Sequence, residues 1–109
     1  MYIETNQQTE ERLLIIEIIE NITGVPRELW ETKRTKNKDE VMIRHIYINL
    51  LHSTKLFTLM GIARCVGLKN HSTILQSLEI SNSWSTDTEA YSKRKLLNQI
   101  KQEYEQRNS

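Results

Sequence analysis

The sequence predicts an all-α fold organised as one domain. Apolar residues recur at three- and four-residue intervals in several separate segments, the pattern of helices with one buried face. One Pro and three Gly punctuate 109 residues, so turns are few and the segments between them are long. No stretch alternates apolar and polar residues with the period of two that a half-buried strand requires. The chain is 38% hydrophobic and 27% charged, the balance of a globular domain with one modest core.

Residues 1–8 are read as a flexible N-terminus, residues 9–105 as the domain and residues 106–109 as a flexible tail. Between Thr9 and Thr23, the residues Ile15, Ile18, Ile19 and Ile22 follow helical spacing, and Glu17 and Glu20 interrupt any strand-like run. Leu13, Leu14 and Ile16 widen the apolar face, so this helix is either well covered or meets a partner. Gly24 supplies its stop. Pro26 suits the first turn of a short helix carrying Leu29 and Trp30. The stretch from Thr32 to Lys38 has four bases and no apolar residue, which marks an exposed loop. Asn37 and Glu40 have capping-box spacing, and a helix is expected from there to about His52, with Ile43, Ile46 and Leu50 as its inner row. A short helix over Thr58 to Val66 follows, then a turn at Gly67, then a second helix opening near Asn70 with Ile74, Leu75 and Leu78 toward the core. Thr86 and Glu89 repeat the capping-box spacing ahead of a final helix striped by Leu96, Leu97, Ile100 and Tyr104. Trp30 and Trp84, both near helix ends, read as core anchors.

Helix, glycine turn and a second helix opening with compact polar side chains is the arrangement with which a helix-turn-helix reads the major groove. Asn70 is a strong N-cap, and capping alone would use the same residue types. An Asn also pairs bidentately with adenine, however, and Ser or Thr contacts base edges or the thymine methyl. That makes Asn70, His71, Ser72 and Thr73 candidates for base contact, with Lys69 reaching guanine or a phosphate. The loop bases Lys33, Arg34, Lys36 and Lys38 are candidates for the minor groove and backbone, where narrow A·T tracts concentrate negative potential. Lys55 and Thr58, at the start of the first motif helix, suit phosphate. The net charge of +1 hides the asymmetry behind this reading: residues 1–31 carry −5 and residues 32–109 carry +6.

The run Gly67-Leu68-Lys69-Asn70-His71-Ser72-Thr73-Ile74-Leu75 resembles the Gly-Gly-Arg-Asp-His-Thr-Thr-Val-Leu-type signature of the C-terminal DNA-binding domain of DnaA, the bacterial replication initiator. Upstream, Val25-Pro26-Arg27-Glu28-Leu29-Trp30 is similar to that family's short helix, and the basic loop follows at the same place. Arg44-His45-Ile46-Tyr47 resembles its Arg-Gln-Ile-Ala, and Leu59 to Ile62 its Leu-x-x-Ile. The resemblance spans about residues 9–105. It implies a Trp-repressor-like helical fold and duplex recognition at replication-origin (DnaA-box) sites. Base reading would fall on Lys69, Asn70, His71, Ser72 and Thr73, with the basic loop in the minor groove. Three departures alter the expectation. Asn70 replaces an acid that would accept from cytosine, Leu68 replaces a glycine, and Lys69 keeps the arginine's charge but loses its bidentate fork. The sequence preference is therefore expected to be altered or relaxed.

DnaA proteins carry an upstream ATPase domain, and this chain has no Gly-x-x-x-x-Gly-Lys-Ser/Thr loop with which to bind nucleotide that way. Met1 and the polar tail favour a stand-alone protein over an excised domain. The alternative function is an interaction module in which the apolar Leu13–Ile22 helix drives homodimerisation or docks a protein partner. Catalysis is not expected. Cys65 sits in an apolar helix, His45 and His52 lack the i,i+4 spacing of a helical metal pair, and no carboxylates pair in an apolar context. No cofactor or metal is expected. One cysteine excludes an internal disulfide, no run is long enough to span a bilayer, and no secretion signal opens the chain. The expected location is the cytoplasm, in association with the nucleoid.

Overall fold

The computed structural model describes residues 3–32 and 34–108, so Lys33 lies outside the described residues. It is all-helical: α1 (Asn6–Thr23), α2 (Lys38–Ser53), α3 (Leu59–Cys65), α4 (Ser72–Ser83) and α5 (Tyr91–Asn108). Single 3-10 turns at Arg27–Leu29 and Thr88–Ala90 punctuate the connections. There is no strand among the described residues.

The apolar spacing explains the packing. Helix α2 touches α1, α3, α4 and α5, while α1 also lies on α5 and α3 on α4. Its buried residues Ile43, Ile46, Tyr47, Ile48, Leu50 and Leu51 point to more than one side, which lets it serve all four neighbours. The expected inner row, Ile43, Ile46 and Leu50, is part of that set. Trp30 is fully buried, meets the Tyr47 ring edge-on at 5.0 Å and donates from Nε1 to the Val25 carbonyl at 3.0 Å. Trp84 is buried as well.

Helix α1 places Ile15, Ile16, Ile18 and Ile19 in the core, covered by α2 and α5. Leu14 and Ile22 pack against its edge, so of the wide apolar face expected between Leu13 and Ile22 only Leu13 stands exposed. The helix starts at Asn6 rather than Thr9. Thr5 accepts from the Gln8 amide and Gln8 returns a bond to the Thr5 amide, a capping box upstream of the periodic residues. At its other end Gly24, at φ +72°, supplies the left-handed stop.

Other local expectations shift for similar reasons. Asn37 caps α2 through the amides of Asp39 and Glu40, but the Glu40 carboxylate accepts from the Thr35 hydroxyl instead of closing a box. Asp87, not Thr86, caps the turn before α5, accepting from the Glu89 amide at 2.9 Å. Leu75 points outward at 45% exposure, because Ser77 and Ser81 take the inner line of α4 beside Ile74 and Leu78. Helix α5 runs on through residues 106–108, into the expected tail.

A polar cluster closes one edge of the core. The Glu31 carboxylate, 7% exposed, accepts from Tyr47 Oη at 2.8 Å and from the Arg27 guanidinium at 2.7 and 3.0 Å, with Arg12 at 3.4 Å. Arg12 also pairs with Glu4 at 3.0 Å, so the segment before α1 is tied down. A buried carboxylate is tolerable only when so fully hydrogen-bonded.

Helix α3 ends in a Schellman motif. Leu68 N–H donates to the Ala63 carbonyl at 2.8 Å and Gly67 N–H to the Arg64 carbonyl at 3.1 Å, with Gly67 at φ +73°. A Cβ on Gly67 would meet Thr32 at 3.5 Å, an ordinary contact, so the strain of a substitution comes from the backbone. Gly67→Ala is expected to keep the fold and cost about 1 kcal/mol, read as a lower urea midpoint with an unchanged slope.

Candidate nucleic-acid interface

The candidate interface starts from the way α4 sits on α2. Ser77 and Ser81 lie one turn apart on α4 and face His45 and Asn49, one turn apart on α2. His45 Nδ1 and Ser77 Oγ are 2.6 Å apart, and Asn49 Nδ2 donates to Ser81 Oγ at 2.8 Å. Serines are small enough to let the helices approach, and the two bonds fix the rotation of α4. With Ser77 and Ser81 inward, Ser72, Thr73, Gln76 and Ile80 face outward.

Lys69, Asn70, His71, Ser72 and Thr73 are all exposed at the start of this helix. The first helical residue is Ser72, one position later than an Asn70 cap implies, and His71 occupies the N-cap position without a side-chain bond. Asn70 still caps: its Oδ1 accepts from the Ser72 amide at 2.9 Å. Leu68, half-buried against the core, anchors the turn from inside while its polar successors point out. The helix N-terminus adds partial positive charge there.

The basic loop adjoins this surface. Arg34 lines the same small recess, 110 Å³, as Thr73 and Gln76 of α4. Lys36 and Lys38 border a neighbouring recess with Ile80 of α4 and Lys93 of α5. The loop is held at both ends: Thr32 packs beside Gly67, and Thr35 Oγ1 accepts from the Asn37 amide while donating to Glu40. Arg44 tethers its base by donating to the Trp30 carbonyl at 2.8 Å. Arg34, Lys36 and Lys38 are therefore presented by a braced segment, not by a free arm. Lys55 and Thr58 are exposed at the α2–α3 connection, where Thr58 caps α3 through the Gly61 amide at 2.9 Å and Lys55 takes φ +62°. No described hydrogen bond or ion pair joins either residue to the loop or to the start of α4.

Sequence reading missed Gln76, Lys93 and the His45–Ser77 and Asn49–Ser81 pairs. The matching i,i+4 spacing of polar residues inside two otherwise apolar helix faces was the available signal. Cys65 is half-buried, and burial together with the Glu4 carboxylate 3.8 Å away pushes its thiol up to about 12. That is the opposite of an activated thiolate. No group of three or more metal-ligating side chains occurs among the described residues, and no described helix is long and apolar enough to cross a membrane.

No protein-family model matches the chain, and neither a curated protein nor a solved structure matches it.

His45 sits at the floor of the interface with its pKa lowered, first by burial and then by Arg44 and Lys93. A folded-state pKa below the ordinary value means that acid protonates the unfolded chain first, so stability is lost as pH falls through and below the ordinary imidazole value of 6.5. Denaturant titrations at about pH 8 and about pH 5 should show this loss, and His45→Gln should flatten the part of it due to the imidazole.

Proposed function

We propose that this chain binds double-stranded DNA as a helix-turn-helix domain of the DnaA C-terminal type, with α4 in the major groove and the 33–38 loop in the minor groove. The observation that carries the reading is the juxtaposition of Arg34 with Thr73 and Gln76. It puts a braced basic loop beside the outward face of a helix whose first turn is polar and exposed. Phosphate neutralisation by Arg34, Lys36 and Lys38 would supply affinity, and residues 69–73 the sequence preference. Lys55 and Thr58 would hold phosphates from the α3 side.

The cap at Asn70 bears on specificity. Its Oδ1 accepts from the Ser72 amide, and bidentate reading of adenine needs both the amide oxygen and the amide nitrogen. The cap uses one of the two acceptor sites of Oδ1, so Asn70 keeps an acceptor and its NH₂ donor for a base, in the orientation that the cap sets. The same chemistry suits origin-like recognition or occupation of initiator sites without nucleotide hydrolysis. The competing reading, docking through the apolar face of α1, finds that face covered by α2 and α5.

Fluorescence anisotropy on labelled duplexes, one with a DnaA box and one scrambled, across a salt series tests the proposal. Salt-sensitive binding is expected, and absence of any duplex binding at low salt would overturn it. Lys36→Ala should weaken binding to both duplexes and lower the salt slope by about one unit. An unchanged slope would remove that residue from the interface. Asn70→Asp keeps a capping oxygen and should leave the melting temperature near wild type while changing which base is preferred. Asn70→Ala should cost roughly 1 kcal/mol of stability as well as discrimination.

A further inference from the structure

The recess between the loop, the start of α2, the end of α4 and the start of α5 is larger than phosphate contact requires. Its volume is 530 Å³, and Lys36, Lys38 and Lys93 stand around it. Met42, Ile80 and Trp84 form an apolar floor, with Ile80 40% exposed. Asp39 is the one acid among its lining residues. Three ammonium groups around an apolar floor suit an acidic surface that carries a protruding apolar side chain.

The same chain presents such a surface. Glu10, Leu13 and Glu17 fall at i, i+3 and i+7 on α1, which aligns them along one helix face. Glu10 and Glu17 are exposed, and Leu13 between them is exposed at 45%. Glu17 makes a 3.6 Å contact with Arg107 yet keeps its side chain 62% exposed. This stripe belongs to the region carrying −5, and the recess to the region carrying +6.

We infer that a second copy of this chain docks its Glu10–Leu13–Glu17 stripe into the Lys36–Lys38–Lys93 recess, a head-to-tail contact. Leu13 would seat on Met42 and Ile80, and the two carboxylates would meet the lysine rim. The contact is heterologous, so each copy keeps one free stripe or one free recess and association can continue beyond a dimer. It uses Lys36 and Lys38, so bound duplex and a docked neighbour would exclude each other. The inference does not rest on duplex binding and is tested without nucleic acid.

Sedimentation velocity of the nucleic-acid-free protein over a concentration series, at low and high salt, is the first measurement. Reversible association that weakens with salt is expected. A Glu10→Lys/Glu17→Lys variant and a Lys38→Glu/Lys93→Glu variant, each checked by circular dichroism to be folded, should self-associate roughly tenfold or more weakly. Mixing the two should restore association, because the reversed stripe of one then matches the reversed recess of the other. A monodisperse monomer throughout at low salt would overturn the inference. So would association that survives either reversal, or a mixture that remains monomeric. None of these outcomes depends on whether a duplex binds.

Discussion

The rotation of α4 on α2 is the constraint on which the candidate interface depends. Two hydrogen bonds one turn apart, His45 with Ser77 and Asn49 with Ser81, hold it. An apolar seam alone would tolerate a small rotation, since dispersion and burial are not directional. Paired polar atoms in a buried seam do not, because a slip leaves each group desolvated and unpartnered. With the serines fixed inward, Thr73 and Gln76 can only face out, toward the loop.

The second constraint is the bracing of the loop by elements that have no part in contact themselves. Trp30 is buried against Tyr47, and its carbonyl receives the Arg44 guanidinium. Glu31, next in sequence, is held by Tyr47, Arg27 and Arg12. The chain therefore enters the loop from an anchored point and passes Gly67 at Thr32 before Thr35 ties it to the start of α2. Ordering the loop in the folded state lowers the entropy lost on meeting any ligand, which is the advantage of presenting bases in this way.

Charge is segregated on top of this frame. The acids concentrate in the first 31 residues and the bases in the rest. Part of the acidity is consumed internally, as Glu4 and Glu31 pair with Arg12 and Arg27. What remains outside on α1 is a stripe of carboxylates about one apolar residue, while Lys36, Lys38 and Lys93 border one recess. A nearly neutral chain thus carries two surfaces of opposite sign, and local potential rather than net charge governs what each attracts.

The helical class, the approximate place of every long helix and the inner rows of α1, α2 and α5 were legible along the chain, because helical periodicity and caps are local signals. The Ile15–Ile19 face, the Ile43–Ile46–Leu50 row, the Gly24 and Gly67 stops and the burial of both tryptophans could all be read along the chain. The sequence also marked residues 69–73 as a polar helix opening and 33–38 as a basic loop. Tertiary structure decided the rest. Leu75 looked like core by periodicity, but serines took its place once α2 supplied His45 and Asn49 as partners. Helices α2 and α5 cover most of the wide apolar face of α1 and leave Leu13 outside. Thr86 and Glu40 had capping-box spacing, yet the Glu89 amide donates to Asp87 and the Asn37 amide to Thr35. The meeting of Arg34 with Thr73 and Gln76, and of Lys36 and Lys38 with Lys93, joins residues tens of positions apart. Such contacts follow from how helices pack, not from any local pattern, so only the folded chain could place them together.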